Sequence, residues 1–148
     1  MSDEQYTNQG TPMSHWLIGG AALIWNLFGL MIYVMTVSAT PEELAAQYNP
    51  AEIAFLEAVP AWATSANAIS VTLGVIASVL LILRKSLAVP LFIASLAAIL
   101  VQDLHAFVLE DVVAIFGMVP VYIQATVLVI AIALIFYALS AKKRGLLR

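Results

Sequence analysis

The fold is decided by residues 60–85, which read PAWATSANAISVTLGVIASVLLILRK. After the opening proline come about twenty apolar or small residues without a charge, which is the length of helix that crosses a bilayer. A proline suits the first helical turn, where its missing N–H leaves no hydrogen bond unmade. Trp62 is typical of one membrane interface, and Arg84-Lys85 is typical of the cytoplasmic end of a span. We therefore interpret this stretch as a transmembrane helix.

Three further apolar runs flank this helix along the chain. The four runs predict spans at approximately residues 16–37, 61–83, 87–107 and 121–141. The predicted fold is all-α, an integral membrane four-helix bundle that forms a single membrane domain over residues 1–148.

The composition agrees with the membrane class. Apolar residues make up 63% of the chain and charged residues 10%, whereas a soluble domain of this size needs far more polar surface. Cysteine is absent, which excludes disulfides and thiolate chemistry. The basic residues form two small clusters, and clusters of this size do not suggest a nucleic-acid partner.

The leader, residues 1–14, is polar and carries Asp3 and Glu4 but no Lys or Arg. A secretory signal peptide needs a basic start, so we do not expect one here. Residues 37–39 resemble a small-residue cleavage site, but the apolar run before them is longer than a usual signal-peptide core.

The orientation follows from the basic residues. With four spans, both termini and the turn after the second span lie on one side, and this side receives every Lys and Arg. The other side receives Glu42, Glu43, Glu52, Glu57, Glu110 and Asp111. The positive-inside rule then predicts that both termini are cytoplasmic.

The loop between the first two spans carries two helix-start signals. Thr40–Glu43 and Asn49–Glu52 each place a capping residue before a proline and a glutamate at the third helical position. In the second segment Ile53, Leu56 and Val59 share one face, which predicts a short interfacial helix in this first outer loop. The acidic side chains of the loop are interpreted as a solvated face, and we predict no metal site.

The second span carries a stripe of small residues every four positions, at Ala66, Ser70, Gly74 and Ser78. Such a stripe lets a neighbouring helix approach closely, so we place this helix centrally. Asn26 falls near the middle of the first span, where an amide needs a partner, and we expect it to hydrogen-bond another helix.

No catalytic motif is present in the sequence. The patterns of zinc proteases, serine hydrolases, P-loop proteins and dinucleotide-binding folds are all missing, so we predict that the chain is not an enzyme. His15 lies beside Trp16 at the start of the first span, and we interpret it as an interfacial residue.

One group of polar residues could form a binding site. At about 1.5 Å per residue, the four helices each place a polar side chain at a similar depth in the outer leaflet. These are Tyr33, Asn67, Gln102 and Gln124, with Asp103 and His105 just above them. Polar groups at membrane depth are functional candidates, and this layer could form a pocket open to the outside, in which Asp103 accepts from a ligand hydroxyl or cation. Alternatively, Asn67 and Gln102 bond each other while Asp103 and His105 touch water.

Five short motifs resemble a family of small four-span bacterial inner-membrane proteins that are often labelled "sugar transporter". They are WNLFG at 25–29, YVMT at 33–36, PAWA at 60–63, LILRK at 81–85 and AVPLF at 88–92. The resemblance covers about residues 14 to 148 and implies transport of a small polar solute. No catalytic residues are established for the family, so none carry over. Some members have an acidic residue where this chain has Ile32, which weakens an ion-coupled mechanism.

Two functions remain open from the sequence. The small-residue stripe, the scarcity of intramembrane charge and the lack of motifs favour a non-catalytic accessory or structural subunit that packs against other membrane subunits. The alternative is a small-solute transporter, which with four helices would act as a homo-oligomer. Membrane lipid is a partner in either case. A bound lipid, quinone or pigment is compatible with the aromatic residues of the spans, which core packing explains equally well.

Overall fold

A computed structural model describes residues 10–148, so the first nine residues, with Asp3 and Glu4, lie outside it. In chain order its helices are α1 (Met13–Ser38), α2 (Pro41–Gln47), α3 (Pro50–Ala58), α4 (Ala61–Ile82), α5 (Ala88–Asp103), α6 (Val112–Phe116) and α7 (Val119–Lys143). A π-helical turn, Leu104–Leu109, continues α5. The described chain is entirely helical apart from its connections.

Within the described part of the chain, four helices are long and apolar enough to cross a membrane. They are α1, α4, α5 with its π-helical turn, and α7. The prediction of an all-α chain with four membrane-spanning helices is therefore confirmed, and the protein is a multi-pass membrane protein. Two of the four, α1 and α7, extend beyond the predicted spans at both ends. α1 already begins at Met13, and α7 continues to Lys143.

The loop between α1 and α4 folds into two helices, and both helix-start signals form complete capping boxes. Thr40 N donates to a Glu43 carboxylate oxygen at 2.8 Å, and Glu43 N donates back to the Thr40 hydroxyl at 3.3 Å. Asn49 N donates to Glu52 at 2.8 Å, and Glu52 N donates to the Asn49 side chain at 3.1 Å. Each box satisfies backbone groups that a helix start leaves unpaired, so the sequence predicts α2 as firmly as α3.

The central helix is α4, which packs extensively on α1 and on α5, while α7 packs on α5. The four small residues of its stripe are all buried. Asn26 lies over this stripe and donates from Nδ2 to the Ser78 hydroxyl at 3.1 Å and to the Ala22 carbonyl at 2.9 Å. A side chain at Gly74 would collide with Asn26, so this glycine permits the close approach of α1.

All six basic residues lie at one end of the bundle, which we name the basic end: Arg84, Lys85, Lys142, Lys143, Arg144 and Arg148. The opposite end carries α2, α3 and α6, and we name it the acidic end. At the basic end the C-terminal tail pairs with the turn between α4 and α5. Arg148 N donates to Arg84 O, and Ser86 N donates to Arg148 O, both at 2.7 Å. Arg84 has a φ of 60°, and its side chain donates to Leu146 O at 2.8 Å, which stabilises this unusual turn.

The tightly packed core also lies at the basic end. Its buried members include Leu81, Phe92, Ala138 and Leu147. They come from the end of α4, the start of α5, the end of α7 and the tail. Towards the acidic end two cavities lie between the spans.

Candidate ligand-binding cavities

One cavity, which we name the upper cavity, lies at the acidic end and has a volume of about 510 Å³. Its walls are the last turns of α1, the first turns of α4 and the end of α5. The loop helices cover it with Leu44 from α2 and with Phe55, Leu56 and Glu57 from α3. The apolar face predicted for α3 therefore turns towards a cavity through Leu56 and Val59.

A second cavity, which we name the lower cavity, continues from the first towards the middle of the spans and has a volume of about 290 Å³. All four long helices contribute to its lining, with Trp25 and Phe28 from α1, Val71 from α4, Ile99 from α5 and Val127 from α7. A small void of about 40 Å³ extends it further towards the basic end and reaches Leu134. Cavities of these sizes can hold a small organic molecule.

Four residues line both main cavities and form a polar waist between them: Tyr33, Thr36, Asn67 and Gln102. Within the described chain, the side chains of Asn67 and Gln102 make no hydrogen bond with each other or with another protein group. Amides left free at membrane depth are costly unless a ligand or water supplies the missing bonds. The two cavities thus share a pair of half-buried amides that have no hydrogen-bond partner among the described residues.

The predicted polar layer is distributed around these cavities. Tyr33, Asn67 and Gln102 lie at the waist, Gln124 lines the lower cavity, and His105 lines the upper cavity. Asp103 lines neither cavity. Its Oδ2 accepts from Gln124 Nε2 at 2.9 Å, while its Oδ1 is buried and has no hydrogen-bond partner. Asp103 therefore reaches the lower cavity only through Gln124, whose amide it orients.

His105 lies in the π-helical turn and is buried, with 7% of its surface exposed. Aromatic side chains surround its ring. The ring of Trp62 meets it edge-on at 5.6 Å between centroids, and Phe55 lies 6.4 Å away. Phe55 also packs edge-on against Phe116 at 5.5 Å, so this aromatic cluster joins α3 to α4, α6 and the π-helical turn. Such π-helical turns are frequent at functional sites.

His15, interpreted from the sequence as an interfacial residue, is fully buried at the basic end. Its Nδ1 lies 3.0 Å from the Tyr137 hydroxyl and its Nε2 lies 2.9 Å from the Leu81 carbonyl oxygen. Because a carbonyl oxygen only accepts, Nε2 carries a proton, and in the neutral ring Nδ1 accepts from Tyr137. The ring thereby joins α1, α4 and α7 below the cavities. The sequence signal for this role is a single histidine beside Trp16, which does not reveal partners more than sixty residues away.

Among residues 10–148, no three His, Asp or Glu side chains are placed to hold a metal ion. Comparisons of the chain with protein-family models, with curated proteins and with solved structures found no match. Function must therefore be argued from the cavities themselves.

Proposed function

We propose that the protein is a non-catalytic membrane protein that binds a small hydrogen-bonding solute in the two cavities and handles it as a small-solute transporter, acting as a homo-oligomer in a bacterial inner membrane. The observation that carries the proposal is the pair of free amides, Asn67 and Gln102, which face both cavities at the waist. The resemblance to four-span proteins labelled as sugar transporters points in the same direction.

The uneven packing of the bundle supports this proposal. The basic end is closed by a dense core and by the bridge from His15 to Tyr137 and Leu81, whereas the acidic end contains the cavities. With the basic end in the cytoplasm, as the positive-inside rule predicts, the cavities face the outside. A solute path that is open on one side and closed on the other is the arrangement expected of one state of a transporter.

The second candidate is the accessory subunit favoured by the sequence. It is supported by the exposed apolar faces of α1 and α7, on which Ile24, Met35, Val129 and Phe136 each expose more than 60% of their surface. Lipid covers such faces in any membrane protein, but a neighbouring subunit could cover them too. In this role the cavities would hold lipid without selectivity.

One purification separates these two functions. The protein is isolated from its native membrane in a mild detergent, and native mass spectrometry reports which chains and small molecules remain in the particle. We expect several copies of this chain with a bound small molecule. Foreign membrane chains in fixed stoichiometry, without a small molecule, would instead establish the accessory subunit.

The waist is tested in the same particle. The double variant Asn67→Leu/Gln102→Leu removes both free amides while keeping the volume similar, so we expect it to lose the bound small molecule. The matched control is Thr72→Leu/Thr126→Leu, which changes two exposed polar residues of α4 and α7 away from the cavities. The proposal fails if both double variants retain the same bound molecules as the unaltered chain.

A further inference from the structure

We propose that the molecule held by these cavities is a neutral amphiphile, with a hydroxyl- or carbonyl-bearing head group at the polar waist and an apolar tail in the lower cavity, which it reaches sideways from the bilayer between α1 and α7. This inference rests on the proposed function and specifies the class of its ligand.

The sideways route follows from how the helices pack. α1 packs on α4 and α7 packs on α5, but α1 and α7 have almost no close backbone contact with each other. The His15–Tyr137 hydrogen bond holds them together only at the basic end. Nearer the acidic end, residues from both helices line the lower cavity, and those at its rim are about half exposed: Phe28 at 53%, Ile32 at 48% and Ile123 at 59%. The lower cavity therefore opens between these two helices towards the lipid.

The chemistry of the waist selects a neutral head group. The side-chain amides of Asn67 and Gln102 each offer donors and an acceptor, and the Tyr33 hydroxyl adds one of each. None of the described residues lining either cavity is Lys or Arg, and the one acidic residue among them is Glu57 of α3, which lines the upper cavity only. An anionic head group would find no positive partner there, and burying it unpaired at membrane depth is costly. A hydroxyl or carbonyl group can satisfy the amides without carrying charge.

The lining below the waist selects an apolar tail. Trp25, Phe28, Val71, Ile99 and Val127 surround this part of the lower cavity, and the small void beneath it is lined by Phe92 and Leu134. Three polar side chains also line this space, and each already has a hydrogen-bond partner within the protein: Asn26, Ser70 and Ser95. A water-soluble solute would leave this apolar space empty or wet, whereas an acyl or isoprenoid chain would fill it. The depth and the lining of the lower cavity thus match a molecule that is itself dissolved in the membrane.

The test uses photo-crosslinking in lipid nanodiscs. The probe is a monoacylglycerol that carries a diazirine in its chain, and its comparator is the fatty acid with the same chain, whose carboxylate is charged at neutral pH. Mass spectrometry of peptides then locates the crosslinks. We expect the monoacylglycerol to label the lower-cavity residues of α1 and α7 about tenfold more than the fatty acid does, relative to labelling at exposed Phe136. Equal labelling by the two probes, or labelling spread evenly over exposed positions, overturns the proposal.

A second experiment repeats the crosslinking with variants whose larger side chains fill the lower cavity. Gly29 lines the lower cavity, and a Cβ atom added there would lie 3.9 Å from Val71, an ordinary van der Waals contact. The backbone position therefore accepts a side chain, and we expect the ring of Gly29→Phe to occupy the cavity. The control is Gly20→Phe on the same helix, where no neighbour lies within 4 Å. We expect Gly29→Phe to reduce cavity labelling about tenfold and Gly20→Phe to leave it unchanged. Ile123→Trp plugs the same space from α7 and should reproduce the loss; labelling that persists in both plugged variants overturns the proposal.

The outcome for the proposed function is separate. One outcome is that the two probes label the lower cavity equally while the Asn67→Leu/Gln102→Leu variant loses a water-soluble molecule. That result contradicts the amphiphilic ligand proposed here but supports solute binding at the waist. If that double variant changes nothing either, both proposals fail.

Discussion

His15 is the residue whose surroundings differ most from what its position in the sequence indicates. Both of its ring nitrogens have partners, one on α7 and one on α4, and no part of the side chain is exposed. A buried imidazole with both nitrogens paired specifies one arrangement of three helices, because any other arrangement leaves polar groups unsatisfied in an apolar setting. His15 and Tyr137 therefore determine how α1 and α7 meet at the basic end.

The first prediction concerns the His15–Tyr137 hydrogen bond. Tyr137→Phe removes the hydroxyl but keeps the ring, and with it the contact to Arg144, whose guanidinium lies 5.9 Å from the ring centre. We expect the free energy of unfolding, measured by SDS titration in mixed micelles, to fall by about 1 kcal/mol. His15→Ala should cost more, about 2–4 kcal/mol, because it also leaves a cavity.

The control for this prediction is Tyr122→Phe. Tyr122 lies on the same helix with 67% of its surface exposed, so its substitution should leave the free energy of unfolding unchanged. Equal effects of the two tyrosine variants would mean that the bond contributes nothing. In the double variant His15→Ala/Tyr137→Phe the two costs should not add, because both changes remove the same hydrogen bond.

Asp103 shows how one residue can be placed at the predicted depth and still act indirectly. One of the two interpretations of the sequence places it beside a ligand and the other in contact with water, whereas in the structure its carboxylate accepts a hydrogen bond from the Gln124 amide and lines neither cavity. Depth along a helix can be counted from the sequence, but the direction in which the side chain points depends on how α5 is rotated against α7.

At the scale of elements, α4 organises the bundle through its small-residue stripe. The stripe lets Asn26 of α1 donate a hydrogen bond to Ser78. From α5, the Ser95 hydroxyl donates to the Ser70 carbonyl oxygen at 2.7 Å. One face of α4 thus makes polar contacts to two neighbouring helices, and its glycine position has no room for a side chain. Helix association in lipid relies on such close packing because apolar burial gives little gain there.

The second prediction tests this close approach. Gly74→Ala places a methyl group against the Asn26 side chain, so we expect the free energy of unfolding in mixed micelles to fall by about 1–3 kcal/mol. Gly20→Ala is the matched control, because no neighbour lies within 4 Å of that position and alanine favours the helix.

A second-site change makes the cause specific. Asn26→Ala removes the side chain that the new methyl group meets, so the double variant Gly74→Ala/Asn26→Ala should recover part of the loss seen with Gly74→Ala. If Gly74→Ala is as stable as Gly20→Ala, or if removing Asn26 gives no recovery, the proposed packing is wrong.

At the scale of the whole molecule, charge and packing are arranged along the same axis. The basic residues, the dense core and the His15 bridge lie at one end, and the acidic loop helices and the cavities lie at the other. The positive-inside rule assigns the first end to the cytoplasm. The orientation therefore decides which compartment the cavities face.

The third prediction addresses this orientation. Because the chain has no cysteine, single substitutions can report exposure without background. A membrane-impermeant maleimide should label Glu42→Cys in intact cells, whereas Lys85→Cys should be labelled only after the membrane is permeabilised. Both positions are exposed in the structure, so a difference reports the side of the membrane and not burial. Labelling of Lys85→Cys in intact cells would reverse the orientation and place the cavities on the cytoplasmic side.

The membrane class and the long helices of this protein could be predicted from its sequence alone. Uncharged runs of bilayer length can only be satisfied as helices in lipid, because all backbone hydrogen bonds then close within the segment. The two capping boxes are equally local, since each needs only four consecutive residues, and both form where the sequence places them. The need of Asn26 for a partner on another helix was also readable, because an amide near the centre of a span is costly alone.

The places where the polar groups meet could not be predicted from the sequence, because they depend on how the helices pack. The rotation of each helix about its axis separates Asp103 from the cavities, brings Asn67 and Gln102 to a shared waist without joining them, and brings His15 to Tyr137 across 122 positions of sequence. These outcomes depend on the sum of weak contacts along whole helix faces, and no short motif records that sum. The cavities arise for the same reason, because they are the space left where α1 and α7 follow different partners.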